Sequence, residues 1–394
     1  MLRIVWSGVH EPRKCLGLLL QALAHARLDI DARLDVCGEG KMTRRWRRLA
    51  TRLGLSDRIV WHGWLPKDRA QAVVAHCDVF VITSIRDLTS TVLLEALSAG
   101  KPVVCLDHCG FADVVDETCG IKVPVGTPRE VIAGFSAALV RLQDDALRAK
   151  LGAGARQRAA AYAWSRKRAA LERIYRPAWR RVCVGVFSCS PLRGSEPGMG
   201  WNFLREIAAT GREIWAITND EFPDEIRAQA AELPNVHFTF VQEPAKRLRD
   251  ALRKVWPPSY YWFYRWWQRR AFRVARELHA QHAFDVAHQL NMVGFRESGF
   301  LWRLPVPFVW GPIGGLDLTD GRLLGLLDVR GKAEFFCRNV INWVQRRFLV
   351  RPRRAARRAA ESNALICATG ENARLARRLW GVGSTVICEV GAKG

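Results

Sequence analysis

The stretch Asp78-Val-Phe-Val-Ile-Thr83, followed three residues later by Asp87-Leu-Thr-Ser-Thr-Val-Leu-Leu-Glu95, decides the fold of this chain. The first run is short and apolar, which is typical of a buried parallel strand. The residues from Val92 to Ala99 have the apolar content and length of a helix start. Two carboxylates, Asp87 and Glu95, therefore fall at a strand-to-helix junction, where an open α/β sheet binds its ligands.

The alternation of short apolar runs and helical segments continues on both sides of this junction. It predicts two Rossmann-like α/β domains with parallel sheets, residues 1–178 and 182–394, separated near Pro177. The expected strands of the first domain are Leu2–Ser7, Leu34–Cys37, Arg58–His62, Asp78–Thr83, Pro102–Leu106 and Gly120–Val125. Those of the second are Val182–Ser188, Ile214–Thr218, Val236–Val241, Asp285–His288, Phe308–Trp310, Leu365–Thr369 and Thr385–Glu389.

The composition is that of a folded protein of two domains, with 394 residues, 49% hydrophobic and 25% charged. The eleven cysteines are scattered in apolar surroundings and lack the paired spacing of zinc sites or disulfide frameworks. We expect them to be reduced core residues. The sequence also lacks a long apolar run and a signal-peptide pattern, so we expect the chain to stay in the cytoplasm.

The net charge of +23 is the compositional outlier. Such a surface attracts nucleic acid, anionic lipid or acidic substrates, and composition alone does not separate these partners.

Several motifs together give a resemblance to a known family. The acids Asp87 and Glu95 are eight positions apart, Gly100-Lys101-Pro102-Val103-Val104 follows them, and Gly194-Ser-Glu-Pro-Gly-Met-Gly-Trp201 begins the second domain. The chain resembles the retaining glycosyltransferases of family four, whose GT-B fold encloses a nucleotide sugar between two Rossmann-like domains. Residues 1–178 resemble the family's donor-binding domain, which normally comes second, and residues 182–394 resemble its acceptor domain. The resemblance thus implies a circularly permuted order, or a fusion of two fragments.

The resemblance implies roles for residues of the first domain. Glu95 would bond the ribose hydroxyls of the donor, and Asp87, at a position where the family has glutamate, would contact the transferred sugar. The hydroxyls of Thr89, Ser90 and Thr91 fall in the donor-binding loop. The alternative is a helix with one solvated acid and one acid in a salt bridge.

Lys14 falls at the position of a family lysine that neutralises the leaving diphosphate. Val9 occupies the place of the companion arginine, and Arg13 could supply the missing charge. Cations fixed opposite a developing charge usually give the largest catalytic effect. The alternative is a surface Arg-Lys pair without function.

In the second domain, the resemblance implies a glycine loop on the acceptor side, with Gly198 and Gly200, and a later one with Gly314. It also implies that His288 lies beside the transferred sugar as a hydrogen-bonding partner. Glycines in such loops let the backbone approach a ligand closely. Without the resemblance, His288 is a structural histidine with satisfied hydrogen bonds.

The family's chemistry implies transfer of a hexose with retention, through a front-face process, from a nucleotide-diphosphate sugar to a glycan or lipid-linked acceptor in cell-envelope or exopolysaccharide synthesis. The donor domain mainly holds the diphosphate, so no metal and no other cofactor is expected. Asp29-Ile30-Asp31 has the form of a metal-binding motif but lies away from the carboxyl ends of the strands, and we interpret it as a solvated loop.

Aromatic and basic residues alternate between Arg249 and Arg276, and a second basic run extends from Arg346 to Arg358. Rings with basic partners suit a membrane interface, so we predict peripheral binding to an anionic membrane surface. The alternative is that the rings are core and the arginines are merely solvated.

Three other functions are weighed against the enzyme. The charge alone suggests nucleic-acid binding, but a nucleic-acid recognition motif is missing and the charge is spread over both halves, so no nucleic-acid partner is expected. A nicotinamide-dependent oxidoreductase lacks its glycine fingerprint here. Fused fragments without activity are the third alternative, although termini that lie close together make a permuted enzyme feasible.

Overall fold

A computed structural model describes residues 1–392. The chain forms two compact units. The first unit contains Met1–Ala163 and Leu318–Trp343 together with the described residues after Val390, and the second contains Trp164–Asp317 and Val344–Val390.

The strands and helices of the first 163 residues alternate as the sequence predicts. The strands are β1 (Leu2–Ser7), β2 (Ala32–Cys37), β3 (Ile59–Gly63), β4 (Val79–Ile82), β5 (Val103–Leu106) and β6 (Gly120–Val123). The helices are α1 (Leu16–His25), α2 (Thr43–Arg52), α3 (Lys67–Ala75), α4 (Thr91–Ser98), α5 (Cys109–Val114), α6 (Pro128–Arg141) and α7 (Asp145–Ala161).

The rest of the chain repeats this alternation. Its strands are β7 (Arg181–Val186), β8 (Glu213–Asn219), β9 (Val236–Val241), β10 (Val286–Asn291), β11 (Phe308–Ile313), β12 (Leu365–Cys367) and β13 (Thr385–Val386). Its helices are α8 (Trp164–Ile174), α9 (Ser195–Ala208), α10 (Pro223–Gln229), α11 (Lys246–Val255), α12 (Tyr260–His282), α13 (Val329–Phe348), α14 (Val350–Ala360) and α15 (Gly370–Trp380).

Both sheets are parallel and have the same topology. The first has the order β3-β2-β1-β4-β5-β6, and the second has the order β13-β12-β11-β10-β7-β8-β9. Counted from its own first strand, each sheet therefore begins 3-2-1-4-5-6, the order of a Rossmann fold. The predicted fold class, α/β with two Rossmann-like domains, is confirmed.

In such a sheet the second and third strands lie on one side of the first strand, and the fourth and later strands lie on its other side. The loops that follow these two strands diverge and leave a crevice at the carboxyl edge. The crevice lies between β1 and β4 in the first unit, and between β7 and β10 in the second.

The units divide the chain at other places than the predicted boundary near residue 180. Helix α8 belongs to the second unit, because Trp164 packs edge-on against Phe203 and Arg168 pairs with Glu206 at 3.0 Å. The segment 318–343 belongs to the first unit, where Leu323 is part of the core. The apolar faces of these helices, and not their position in the chain, decide where they pack.

Ten of the eleven cysteines are buried and all are free thiols; Cys337 is exposed. This placement agrees with the prediction of reduced core residues. Among residues 1–392, none of the helices combines the length and apolar character needed to cross a membrane. The loop at Asp29 and Ile30 is exposed, and both backbone N–H groups donate to the Gln143 side chain.

Candidate functional site

The crevice of the first unit is shaped by hydrogen bonds that join the ends of β1 and β4. The Trp6 indole donates to Thr83 Oγ1 at 2.9 Å, and the Thr83 hydroxyl donates to the carbonyl of Lys14 at 2.6 Å. The backbone N–H of Ile85 donates to the carbonyl of Arg13 at 2.9 Å. The two loops are thereby held side by side, and the backbone that carries both cations is fixed.

The side chains of Arg13, Lys14 and Asp87 meet in this crevice. Lys14 Nζ forms an ion pair with Asp87 Oδ2, and Arg13 Nη1 lies 3.2 Å from the same oxygen. Arg13 Nε also lies 3.0 Å from a Glu11 carboxylate oxygen. The Lys14 and Asp87 side chains are only 13% and 18% exposed, so this pair is far less screened than an ordinary surface salt bridge.

Arg86 is a further cation at this junction that the sequence motifs do not indicate. It directly precedes Asp87, and its backbone carbonyl accepts a hydrogen bond from Arg13 Nη1 at 3.3 Å. Its own Nη1 atom is buried and has no hydrogen-bond partner among the described residues. A buried guanidinium N–H without an acceptor costs free energy, which an anionic ligand would recover.

The amino end of α4 directly follows the loop that contains Asp87. Ser90 is the N-cap residue, but its side chain accepts no hydrogen bond from the first turn of the helix, which begins at Thr91. The first backbone N–H groups of α4 are therefore not capped by that hydroxyl, and they carry the positive end of the helix dipole. Thr89 is buried beneath the loop. An anion in the crevice would meet fixed donors as well as cations.

Glu95 lies one turn further along α4 and is held differently from Asp87. Its Oε1 atom accepts a hydrogen bond from Gln71 Nε2 at 2.9 Å and lies 3.9 Å from Lys67 Nζ, both on α3. The structure thus brings Arg13, Lys14 and Asp87 into one cluster and ties Glu95 to the neighbouring helix.

The crevice of the second unit contains a carboxylate without a cation. Glu196 is in the first turn of α9, which follows β7, and its Oε1 atom accepts the backbone N–H of Val293 at 3.2 Å. Its Oε2 atom is buried and has no hydrogen-bond partner among residues 1–392. Burial, together with the nearby Glu389, raises the pKa of Glu196 to about 7, although the Val293 N–H opposes the shift.

Hydrogen bonds fix the end of β10 and the residues after it, which lead to the Val293 N–H that Glu196 accepts. Asn291 donates its side-chain N–H to the carbonyl of Ser188 at 2.8 Å, and Tyr264 hydroxyl donates to the carbonyl of Asn291 at 3.0 Å. The same hydroxyl accepts the backbone N–H of Met292 at 2.9 Å. Glu196 belongs to the segment Gly194–Trp201, in which the resemblance to the family indicates only the glycines.

The placement of His288 differs from the predicted one. Its side chain is completely buried within β10, where Nδ1 bonds the Tyr175 hydroxyl at 2.6 Å and Nε2 bonds the carbonyl of Gly311 at 2.8 Å. Burial lowers its pKa to about 4, although the hydrogen bond to Gly311 acts in the opposite direction and raises the pKa. Strand β10 continues for three residues beyond His288, so this side chain lies in the core and not at the carboxyl end. The predicted contact with the sugar has no support from this placement.

The segment predicted as a glycine loop is largely helical. Gly198 and Gly200 lie in the first turns of α9. A Cβ atom on Gly198 would lie 2.2 Å from the carbonyl of Arg193, and one on Gly200 would lie 2.5 Å from the carbonyl of Ser188. These glycines therefore permit close packing inside the unit. Gly314 hydrogen-bonds through its backbone with Val293 and Phe295.

The aromatic segment between Arg249 and Arg276 is divided between core and surface. Phe263, Tyr264 and Trp267 are buried on the inner face of α12. Four other rings of this segment are exposed, namely Trp256, Tyr261, Trp262 and Trp266, and Trp262 is 58% exposed. Val255 is exposed as well. The second basic run is partly structural, because Arg346 is buried and donates to the carbonyl of Leu316 at 2.8 Å.

Comparisons with known proteins find similarity to glycosyltransferases. Residues 2–158 match the family described as glycosyl transferases group 1. The chain is 31% identical over 183 residues to the D-inositol 3-phosphate glycosyltransferase of Xylanimonas cellulosilytica, covering 45% of this chain and 43% of that protein. It is 31% identical over 220 residues to the protein of the same description from Geodermatophilus obscurus, covering 52% and 47%.

A third relative acts, by its description, on a lipid-linked substrate. It is the N-acetylgalactosamine-N,N'-diacetylbacillosaminyl-diphospho-undecaprenol 4-alpha-N-acetylgalactosaminyltransferase of Campylobacter jejuni, 30% identical over 141 residues, covering 35% of this chain and 37% of that protein. The chain spans less than half the length of these curated relatives. The family match includes the whole Arg13, Lys14 and Asp87 cluster, which is thus part of a glycosyltransferase-like segment.

Proposed function

We propose that this protein is a retaining hexosyltransferase that moves a sugar from a nucleotide-diphosphate sugar to a glycan or lipid-linked acceptor in cell-envelope or exopolysaccharide synthesis. The observation that carries the proposal is the meeting of Lys14, Arg13 and Asp87 in the crevice between β1 and β4, within residues that match the glycosyltransferase family.

The donor's diphosphate would bind in this crevice. When no ligand is bound, Lys14 and Arg13 both pair with the Asp87 carboxylate. An arriving diphosphate would pair with these cations instead, and Asp87 would turn toward the sugar. Arg86 and the first N–H groups of α4 would add donors. Charge that develops on the leaving diphosphate would then meet groups that are already in place, and neither a metal nor another cofactor is required.

Glu95 would bond the ribose of the donor. Its present partner, Gln71, is a neutral amide, and exchange of one hydrogen bond for another has a small cost. Replacement of Glu95 by alanine should weaken binding of the donor without lowering the affinity for free pyrophosphate. Equal donor affinity in the variant would refute this role.

The acceptor would bind to the second unit, beside Glu196. A carboxyl group with a pKa near 7 can exist in either protonation state at neutral pH, which suits a group that exchanges hydrogen bonds with an acceptor hydroxyl. The unpartnered Oε2 atom supports this assignment.

We propose that the order of the two units is permuted relative to the family. The family match to the first unit and the Rossmann topology of both units support this order. A rearranged chain that starts at Val182 and joins residue 394 to residue 1 by a short flexible linker should keep the donor preference. Loss of donor binding in a folded rearranged chain would contradict the permutation.

We further propose that the protein acts in the cytoplasm, peripherally on an anionic membrane surface, without a nucleic-acid partner. The exposed rings Trp262 and Trp266, with the cations around them, support this role. Sedimentation with vesicles of anionic lipid should capture the protein, and a W262S/W266S variant should stay in solution. Equal sedimentation with zwitterionic vesicles, or tighter binding to duplex DNA than to vesicles, would overturn this part.

A panel of nucleotide sugars tests the enzyme directly. Each donor is incubated with the protein and a membrane-glycolipid extract, and release of nucleoside diphosphate is measured, followed by anomeric analysis of the product by NMR. One donor should give release, and the product should keep the donor's anomeric configuration. No release and no binding with any donor would favour fused fragments without activity.

A further inference from the structure

A second basic cavity lies in the first unit, apart from the crevice. Its volume is about 530 Å³, and it lies against β1, β2, β3 and α3. The charged and titratable groups that line it are Arg3, Arg33, Asp35, His62, Arg69, His76 and Cys77. Arg13, Lys14, Arg86, Asp87 and Glu95 are not among its lining residues.

Two of these arginines face each other across neighbouring strands. Arg3 and Arg33 are direct partners in the parallel register of β1 and β2. Their neighbours Leu2, Ile4 and Leu34 belong to the core on the opposite face. Side chains alternate along a strand, so both arginines project from the same face, about 4.8 Å apart at the backbone. Like charges placed in this way destabilise a sheet.

The two nearby acids, Asp35 and Asp78, have other partners than the guanidinium groups of Arg3 and Arg33. Asp35 Oδ1 lies 2.6 Å from His62 Nε2, and Asp78 accepts the backbone N–H of Arg3 at 2.7 Å. Among residues 1–392, no ion pair or hydrogen bond involves the guanidinium groups of Arg3, Arg33 or Arg69. Three guanidinium groups without an ion-pair or hydrogen-bond partner among the described residues therefore border one cavity.

The chemistry of the lining selects a type of ligand. Guanidinium groups match the oxygens of a phosphate in pairs, which a point charge such as that of lysine cannot do. Leu65, Ala72 and Val73 give the cavity an apolar side. Cavities of several hundred Å³ are of the size that holds small molecules.

We propose that this cavity binds the phosphate group of a small phosphorylated molecule through Arg3, Arg33 and Arg69. The ligand's phosphate lies between the two strand arginines and is closed over by Arg69 of α3. The inference does not depend on the proposed glycosyltransferase activity, because no residue of the donor crevice takes part.

The test measures binding of inorganic phosphate and of glucose 6-phosphate by calorimetry at constant ionic strength, set with chloride. The Lys14→Ala chain is used so that the donor crevice does not contribute. Arg33→Gln and Arg69→Gln should each weaken phosphate binding at least tenfold, whereas Arg129→Gln, at an exposed position of α6, should leave it unchanged.

A second readout separates a binding site from a structural one. Without phosphate, Arg33→Gln should unfold at the same or a higher temperature, because the repulsion with Arg3 is removed. Tighter binding of glucose 6-phosphate than of phosphate would identify a phosphorylated metabolite as the ligand class, and equal binding would identify free phosphate. The proposal would be overturned if neither compound bound at 10 mM. It would also be overturned if the control Arg129→Gln weakened binding as much as Arg33→Gln and Arg69→Gln do.

Discussion

The two Rossmann-like units have the same strand order but treat the carboxylate at their crevice in opposite ways. In the first unit, Asp87 is paired with Lys14 and Arg13. In the second, Glu196 has one backbone N–H as its partner, and burial together with the nearby Glu389 raises its pKa. The same topology thus holds an acid between two cations in the first unit and an acid with a raised pKa in the second.

The difference comes from the loops and not from the sheets. In the first unit, a short loop after β1 carries two consecutive cations into the crevice. In the second, helix α9 begins directly after the loop and buries its first-turn acid. Function in such folds lies in residues at the carboxyl edge, which the sheet topology positions but does not choose.

Replacement of Lys14 tests the first half of the comparison and has the largest expected effect. Lys14→Ala should lower the rate of nucleoside diphosphate release about 10²- to 10³-fold, because the leaving diphosphate loses a fixed cation. Lys150→Ala, at an exposed position of α7, is the matched control and should retain the rate. Equal rates in both variants would break the assignment of the donor crevice.

Alanine at Gly200 tests whether the glycines of the second unit serve packing. Gly200→Ala should lower the free energy of unfolding by about 2–3 kcal/mol, since the added methyl group collides with backbone. Gly194→Ala, where no atom lies within 4 Å of the new methyl group, should change it by less than about 0.5 kcal/mol. Urea unfolding measures both. A stable Gly200→Ala chain with lost activity would restore the ligand-loop interpretation.

Both units contain a buried neutral histidine, His10 in the first and His288 in the second, each with its pKa lowered to about 4. A lowered pKa stabilises the fold above the unfolded value of 6.5, and this contribution is lost as the pH falls toward 4. For His288 we expect a loss of about 2 kcal/mol between pH 7 and pH 5.

Urea unfolding at the two pH values measures this loss. It should be smaller in His288→Gln and unchanged in His76→Gln, whose side chain is exposed. An equal loss in wild type and His288→Gln would show that His288 is not the buried group inferred from its hydrogen bonds.

Glu196 gives an expected effect on stability of similar size to that of His288, with the opposite direction in pH. Its pKa is raised, so its contribution to stability is full below 4.5 and is lost as the pH rises through about 7. Glu196→Gln should therefore gain about 2–3 kcal/mol relative to wild type between pH 5 and pH 8. A constant difference across this range would show that the pKa of Glu196 is not raised.

The fold was largely predictable because short strands rich in apolar residues alternate with helical segments along the chain. The predicted bounds of Leu2–Ser7 and Val236–Val241 coincide with those of β1 and β9. The Lys14 and Asp87 pair was predictable as well. Both residues follow strands that border the crevice, and their roles came from the family resemblance.

Other features of the site could not be predicted because they depend on packing across the sheet. The glycines of Gly194–Trp201 suggested a loop, although proline and an acid near Ser195 are signals of a helix start, and they would have drawn attention to Glu196. His288 was expected at the end of a strand that continues to Asn291. Arg86 is identified only by its buried, unpartnered nitrogen.

The central claim is that the crevice of the first unit holds the diphosphate of a sugar donor. Calorimetric titration with nucleoside diphosphates and with the corresponding nucleosides tests it most directly. In wild type and Lys150→Ala, one diphosphate should bind at least tenfold more tightly than its nucleoside, and this advantage should vanish in Lys14→Ala. Binding that is independent of the diphosphate, or an advantage that survives the loss of Lys14, would contradict the claim.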